Sequence, residues 1–182
     1  MDEPLEPLEA RGRLLVAAPD LADPNFHRTV VLLLEHDDDG TLGVVLNRPS
    51  ETAVGELLPD WQRTAADPGV VFVGGPVVPN GLIGIAEATG AADEGIQLPG
   101  GLEVVDLEQT PGLSGAGRLR VFAGHAGWVG GQLEAEVMGG SWFIVDAEPG
   151  DVFSADPEEL WTTVLRRQGG VFTTVPVDPS LN

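Results

Sequence analysis

Three histidines, His27, His36 and His125, are the side chains of this 182-residue sequence that titrate near neutrality when unperturbed, so acid–base chemistry would start from them. His36 ends an apolar run between Glu35 and Asp37, His125 stands among glycines, and His27 lies beside Arg28 in a proline-marked loop. No two share the i, i+3 or i+4 spacing that puts a pair of imidazoles on one metal, and no metal site is expected. The Asp37-Asp38-Asp39-Gly40 stretch lacks the later ligands of an EF-hand and reads as a solvated acidic turn. Ser50, Ser114, Ser141, Ser154 and Ser180 include no GxSxG elbow. No cofactor is expected, and the enzyme reading reduces to one alternative: a hydrolase-like protein using His36 or His125 as base on a small anionic substrate.

The stronger candidate is a binding site made from strand ends. Asn47-Arg48-Pro49, Gly74-Gly75-Pro76 and the run Gly124-His125-Ala126-Gly127-Trp128 each follow a buried strand. If these exits meet, backbone groups and Arg48, their sole cation, form a cleft for a small anion. The expected ligand-binding set is Asn47, Arg48, Gly74, Gly75, Pro76, Gly124, His125, Gly127, Trp128 and Gln132. Plainer readings stand beside it: Trp128 packing over a structural turn, and Arg48 paired with one of many carboxylates. The glycine run is not a phosphate loop, because the GxxxxGK[ST] spacing is missing and the chain has no lysine. Glu134 and Glu136, near the start of the next helix, also oppose an external anion.

Recognisable elements must position these residues. Arg13–Ala18 reads as a first strand and Thr29–Glu35 as a strand buried on both faces, returning through an acidic tip to Leu42–Leu46 as a hairpin with a long tip. A short helix follows, with Thr52 as N-cap, Val54, Leu57, Leu58 and Trp61 at helical spacing, and Pro59 closing it. Val70–Val73, Gly81–Ala86 and Leu102–Val105 read as strands, with 88–101 and 108–117 as loops. Arg118–Val145 reads as strand, glycine bend, short helix, Gly139-Gly140 stop and strand. A last helix is capped by Asp156, with Pro157 at N1, Glu159 completing a capping box, and an apolar stripe of Leu160, Trp161, Val164 and Leu165 that ends at Gly169.

Composition bounds the partners. Nine arginines face twenty-nine acids, for a net charge of −20. Such a chain repels duplex DNA and anionic membranes, so direct nucleic-acid binding is disfavoured and the expected partner is a small molecule or a protein. No run of eighteen apolar residues spans a membrane, and the acidic, proline-broken start lacks a signal peptide's regions, which predicts a cytoplasmic protein. The absence of cysteine removes disulfide and thiolate chemistry. With no internal repeat or linker, residues 1–182 are expected to form a single domain with loosely ordered tails at 1–10 and 173–182.

Several of these pieces together resemble the YqgE/AlgH family of small bacterial proteins. They are Gly12-Arg13-Leu14-Leu15-Val16-Ala17 through Asp23-Pro24-Asn25-Phe26, Glu35-His36 with Gly43 to Pro49, Gly74-Gly75-Pro76-Val77, and Ala126-Gly127-Trp128 with Gly131-Gln132-Leu133-Glu134. The match runs in consistent order over 12–168. The resemblance implies an α+β fold: a mixed, mostly antiparallel sheet curled into a pseudo-barrel, flanked by a few helices. It implies no defined biochemical activity; the family name derives from an association with transcriptional control of alginate production. This chain carries His125 where many relatives have tyrosine, Val129-Gly130 in place of Gly-Pro or Gly-Ala, and Gly84-Ile85-Ala86-Glu87 where relatives often reach a Leu-His pair.

Overall fold

Uninterrupted aliphatic runs have no polar face to give to solvent, so the strands they form lie in the middle of the sheet. In the computed structural model, which describes residues 10–88, 96–108 and 117–170, β1 (Leu14–Ala17) is buried at all four positions and β2 (Val30–Asp37) through its first five. They are followed by β3 (Gly40–Val45), β4 (Pro49–Ala53), helix α1 (Val54–Leu57), β5 (Val70–Val73), β6 (Val77–Glu87), β7 (Ile96–Leu98) and β8 (Leu102–Val105). The chain then passes through β9 (Leu119–Val129), α2 (Gln132–Met138), β10 (Trp142–Val145) and α3 (Leu160–Arg167). Short 3-10 turns stand at Pro59–Trp61 and Pro157–Glu159.

The strands join in the order β10-β1-β2-β3-β9-β6-β8-β7, with β5 on β9 and β4 on β5. Every pairing is antiparallel except β5 with β9, which is parallel at Phe72↔Phe122 and Val73↔Ala123. One apolar cluster holds Leu14, Leu32, Val44, Phe72, Ile85, Leu98, Leu102, Phe122 and Val145. Side chains from both ends of the strand order share it, so the sheet curls into a half-barrel. Helix α3 plugs the interior with Leu160, Trp161, Val164 and Leu165, and the Trp161 Nε1–H donates to the Ala17 carbonyl at 2.8 Å. Outside the curl, α2 covers one face through Leu133, among Leu15, Val31, Ala126, Trp128 and Trp142. Val54 and Trp61 cover another, over Val71, Leu119 and Val121.

The structure corrects several local expectations. Residues 124–129 are not a bend leading into a helix: β9 runs straight through them to Val129, and the turn is confined to Gly130-Gly131. The hairpin tip is short, since β2 extends to Asp37 and β3 resumes at Gly40. Thr52 lies in β4, and α1 starts after Ala53 with no side-chain cap. Asp156 starts a 3-10 turn rather than an α-helix and also makes no side-chain cap, so the expected capping box is absent. Within 88–101, Ile96–Leu98 pairs with β8 as a strand. Ala10, expected in a loose tail, is fully buried in the outer cluster; the rest of the expected tails and much of the 88–101 and 108–117 loops lie outside the described residues.

Candidate functional site

The three strand exits do meet. The Val73 N–H donates to the Arg48 carbonyl at 2.8 Å, the Gly74 N–H to the Ala123 carbonyl at 2.8 Å, and the Val45 N–H to the Gly74 carbonyl at 2.9 Å. Glycine is needed where the chains cross. A Cβ on Gly74 would stand 2.3 Å from the Gly124 carbonyl oxygen, and one on Gly75 would stand 2.2 Å from the His125 carbonyl. Gly124 takes φ +76 inside β9, opposite a bulge in β6 between Val77 and Leu82. Backbone fills the junction that was expected to cradle a ligand, while Pro76 lies exposed at its edge.

Asn47 and Arg48 face a loop rather than solvent. Asn47 Nδ2 donates to the Arg28 carbonyl at 2.9 Å, and its Oδ1 accepts the Val30 N–H at 3.1 Å. Arg48 Nη1 donates to the Asn25 carbonyl at 2.6 Å, and Nη2 to those of Pro24 and His27 at 3.1 and 3.2 Å. Desolvation lowers the Arg48 pKa, and Asp23 partly restores it. The loop so clamped carries Phe26, which stacks on Trp128 with ring centroids 5.9 Å apart and meets Trp142 edge-on at 5.5 Å. Gln132 Oε1 accepts the Val129 N–H at 3.0 Å, and its Nε2 donates to Glu136 Oε2 at 2.9 Å. Arg48, Gly74, Gly75, Gly124 and the His125 backbone thus meet in one crossing, to which Phe26 links Trp128, while Pro76, Gly127 and Gln132 lie exposed at its margin.

Of the histidines, His36 has the most provocative surroundings. Its Nδ1 lies 2.6 Å from Thr41 Oγ1 and its Nε2 3.0 Å from Glu134 Oε1. Hydroxyl, imidazole and carboxylate in line is the connectivity of a nucleophile, base and orienter. Here, however, Thr41 is 6% exposed and the His36 side chain 4%, and both ring nitrogens are engaged, so the trio ties the hairpin to α2. His27 Nδ1 is held by the Leu21 carbonyl at 2.8 Å. His125 is half-buried in register with Val77. No metal-binding group of three or more His, Cys, Asp or Glu occurs among the described residues.

Open space lies next to the junction, on the interior side of the sheet. A trough of about 620 Å³ is lined by Leu34, His36, Leu42, Ile83, Ile96 and Val104, with Arg11, Glu35 and Asp37 at its rim. Leu42, Ile83 and Val104 are the partly buried margin of the interior cluster, so the trough forms where the core thins at the mouth of the curl. Leu42 is the register partner of Gly127, and Val77 Cγ2 is 3.9 Å from where a Gly127 Cβ would be. Gly127 and Val77 thus stand beside Leu42 at the edge of the trough. Sequence reasoning missed the trough because most of its lining residues are ordinary strand aliphatics; Leu34 and Leu42 reach this face by plain alternation from Leu32 and Val44, and the bulge between Leu33 and Glu35 sets Glu35 opposite Leu42 and His36 opposite Thr41.

The profile of the AlgH-like family matches residues 14–173. A UPF0301 protein of Streptomyces coelicolor is 54% identical over 183 residues, with 94% of each chain covered. A UPF0301 protein of Thermobifida fusca is 44% identical over the whole of both chains. Among solved structures, a crystal structure of a Corynebacterium diphtheriae protein superposes with a TM-score of 0.86 at 31% identity, covering 94% of this chain and 92% of that one. The solution structure of the AlgH protein from Pseudomonas aeruginosa superposes with a TM-score of 0.68 at 28% identity, covering 96% and 98%.

Proposed function

From the premise that this chain belongs to the AlgH-like family, we propose that it is a non-enzymatic binding module whose ligand seats in the trough at the mouth of the half-barrel. The observation that carries this reading is the trough's volume, about 620 Å³, with five aliphatic walls and a polar rim. That combination is typical of small-molecule sites, in which an apolar lining supplies affinity and a few polar groups orient the ligand. The engaged nitrogens of His36 and the committed fork of Arg48 favour binding over catalysis. A role in transcriptional control would then run through the ligand or a protein partner, because a net charge of −20 opposes contact with duplex DNA.

The neutral dye Nile red tests the site. The full chain should take it up with blue-shifted emission. Leu42→Trp, which fills the trough, and Ile96→Asp, which makes its rim polar, should each abolish uptake, and Arg48→Ala should leave it intact. Uptake indifferent to both trough variants, or no uptake, overturns the reading.

A further inference from the structure

The rim of the trough carries more negative than positive charge, and its one cation is already committed. Arg11 Nε donates to the Leu34 carbonyl at 3.2 Å, and Arg11 Nη2 donates to the Gln97 carbonyl. The guanidinium therefore straps β2 to β7 across the mouth instead of presenting its fork to a ligand. Glu35 is exposed, lines the trough, and enters no ion pair or hydrogen bond among the described residues. Asp37 Oδ1 accepts the N–H groups of Asp39 and Gly40, at 2.8 and 3.1 Å, so one oxygen holds the hairpin tip and the carboxylate keeps its charge at the rim.

Below the rim the walls are aliphatic apart from His36, whose two ring nitrogens are taken by Thr41 and Glu134. Leu34 is buried, Ile83 and Val104 are half-buried, and Ile96 is 59% exposed, a large apolar surface left to water at the lip. A ligand that fits must bury an apolar body against these residues and put its head group among Glu35, Asp37 and a pre-committed Arg11. An anionic head would lose hydration against two carboxylates, within the field of a chain of net charge −20. A cationic head keeps water on one side and gains the unpaired Glu35 on the other. The geometry points to an amphiphile with a single cationic head, a primary or quaternary amine on a hydrocarbon body, as the ligand of the trough. This rests on the trough being the binding site at all, and the experiment separates the two claims.

The full chain, with isotope-labelled Leu, Ile and Val methyl groups, is titrated with octyltrimethylammonium and, separately, with octanoate, both far below micelle formation and in matched low salt. Methyl shifts at Leu42, Ile83, Ile96 and Val104 should mark binding in the trough. Octyltrimethylammonium should bind about tenfold tighter than octanoate, and Glu35→Lys should erase or invert that preference. Glu35 is exposed, so this variant should fold; Ile96→Ser, which removes apolar wall at another exposed position without adding charge, should weaken both ligands. Octanoate binding the trough as tightly as the cation, or a preference unchanged in Glu35→Lys, overturns the cationic assignment and leaves the trough reading standing. No methyl shift with either ligand overturns both. Cation binding that moves no trough methyl, or is indifferent to Ile96→Ser, is adsorption to an acidic surface and also overturns both.

Discussion

Trp128 and Trp142 donate their indole N–H groups to the same atom, Oε1 of Glu136, at 3.2 and 3.0 Å. The rings meet edge-on with centroids 5.9 Å apart, Trp128 on β9 and Trp142 on β10. These strands stand at different places in the sheet, so a single carboxylate on α2 links the ends of the outer cluster. Glu136→Leu would leave two donors of largely buried rings without an acceptor. At about 1–3 kcal/mol for each of the two unmet donors, the expected loss is about 2–6 kcal/mol, while Glu136→Gln, which keeps one acceptor oxygen, should fall between. Urea unfolding followed by tryptophan fluorescence measures it. A Leu variant as stable as the parent would mean that the shared acceptor carries no weight.

Arg48 acts here as a clamp on the 24–27 loop, with Phe26 as the part that clamp holds against Trp128. Arg48→Ala should cost about 1–2 kcal/mol and reduce the near-ultraviolet circular dichroism of the tryptophan cluster. Arg48→Lys should recover only part of this, because an ammonium cannot fork to three carbonyls as a guanidinium does. If Arg48→Ala left the aromatic signal intact but removed ligand binding, Arg48 would be a ligand contact and the clamp reading would fall.

Glycines of the chain divide into those another backbone needs and those none does. An added Cβ on Gly75 meets the His125 backbone at 2.2 Å, whereas one on Gly69 meets nothing within 4 Å. Backbone cannot step aside as a side-chain tip can. Gly75→Ala should therefore cost at least about 3 kcal/mol or abolish soluble expression, and Gly69→Ala should stay within about 1 kcal/mol of the parent. Thermal unfolding of both variants decides it; equal effects would mean that the crossing tolerates a side chain.

That contrast also explains what could be read from the sequence. The aliphatic runs at 30–34 and 70–73 and the stripe of Leu160, Trp161, Val164 and Leu165 declare strands and a helix because burial needs only local pattern. The Gly124–Gly131 run misleads because its glycines answer a distant demand. Gly124 makes room for Gly75, whose carbonyl oxygen would stand 2.3 Å from a Gly124 Cβ, and nothing between 124 and 131 reveals that partner. Local reasoning takes such glycines for a bend, yet the strand continues because β3 pairs with β9 from Gly40↔Val129 to Gly43↔Ala126. The trough was illegible for a related reason: one bulge sets Glu35 opposite Leu42 and His36 opposite Thr41, and a bulge is decided by pairing. Asn47 and Arg48 are expected from the sequence to hold a ligand, whereas the structure sets them on the carbonyls of residues 24–28, which carry no side-chain signature.

Acid should weaken the fold through Glu87, at the end of β6. Arg118 Nε lies 2.9 Å from Glu87 Oε1, and Nη2 lies 3.3 Å from Oε2. The Arg118 backbone N–H adds a third donor to Oε1 at 3.0 Å. The side-chain hydrogen bond from Arg118 is the main cause that holds the Glu87 pKa below its ordinary value of 4.5. A carboxyl whose folded pKa is depressed stabilises the fold above its unfolded pKa and loses that contribution as pH falls through the folded value. The pair is substantially exposed, with side chains 53% and 40% accessible, so screening keeps its worth within about 0.2–1 kcal/mol. Glu87→Gln should lower the urea midpoint slightly near neutrality, the difference from the parent should close as pH falls below the carboxylate range, and added salt should shrink it. A gap that persisted undiminished in acid would show that the substitution acts through packing at the β6 end and not through the charge.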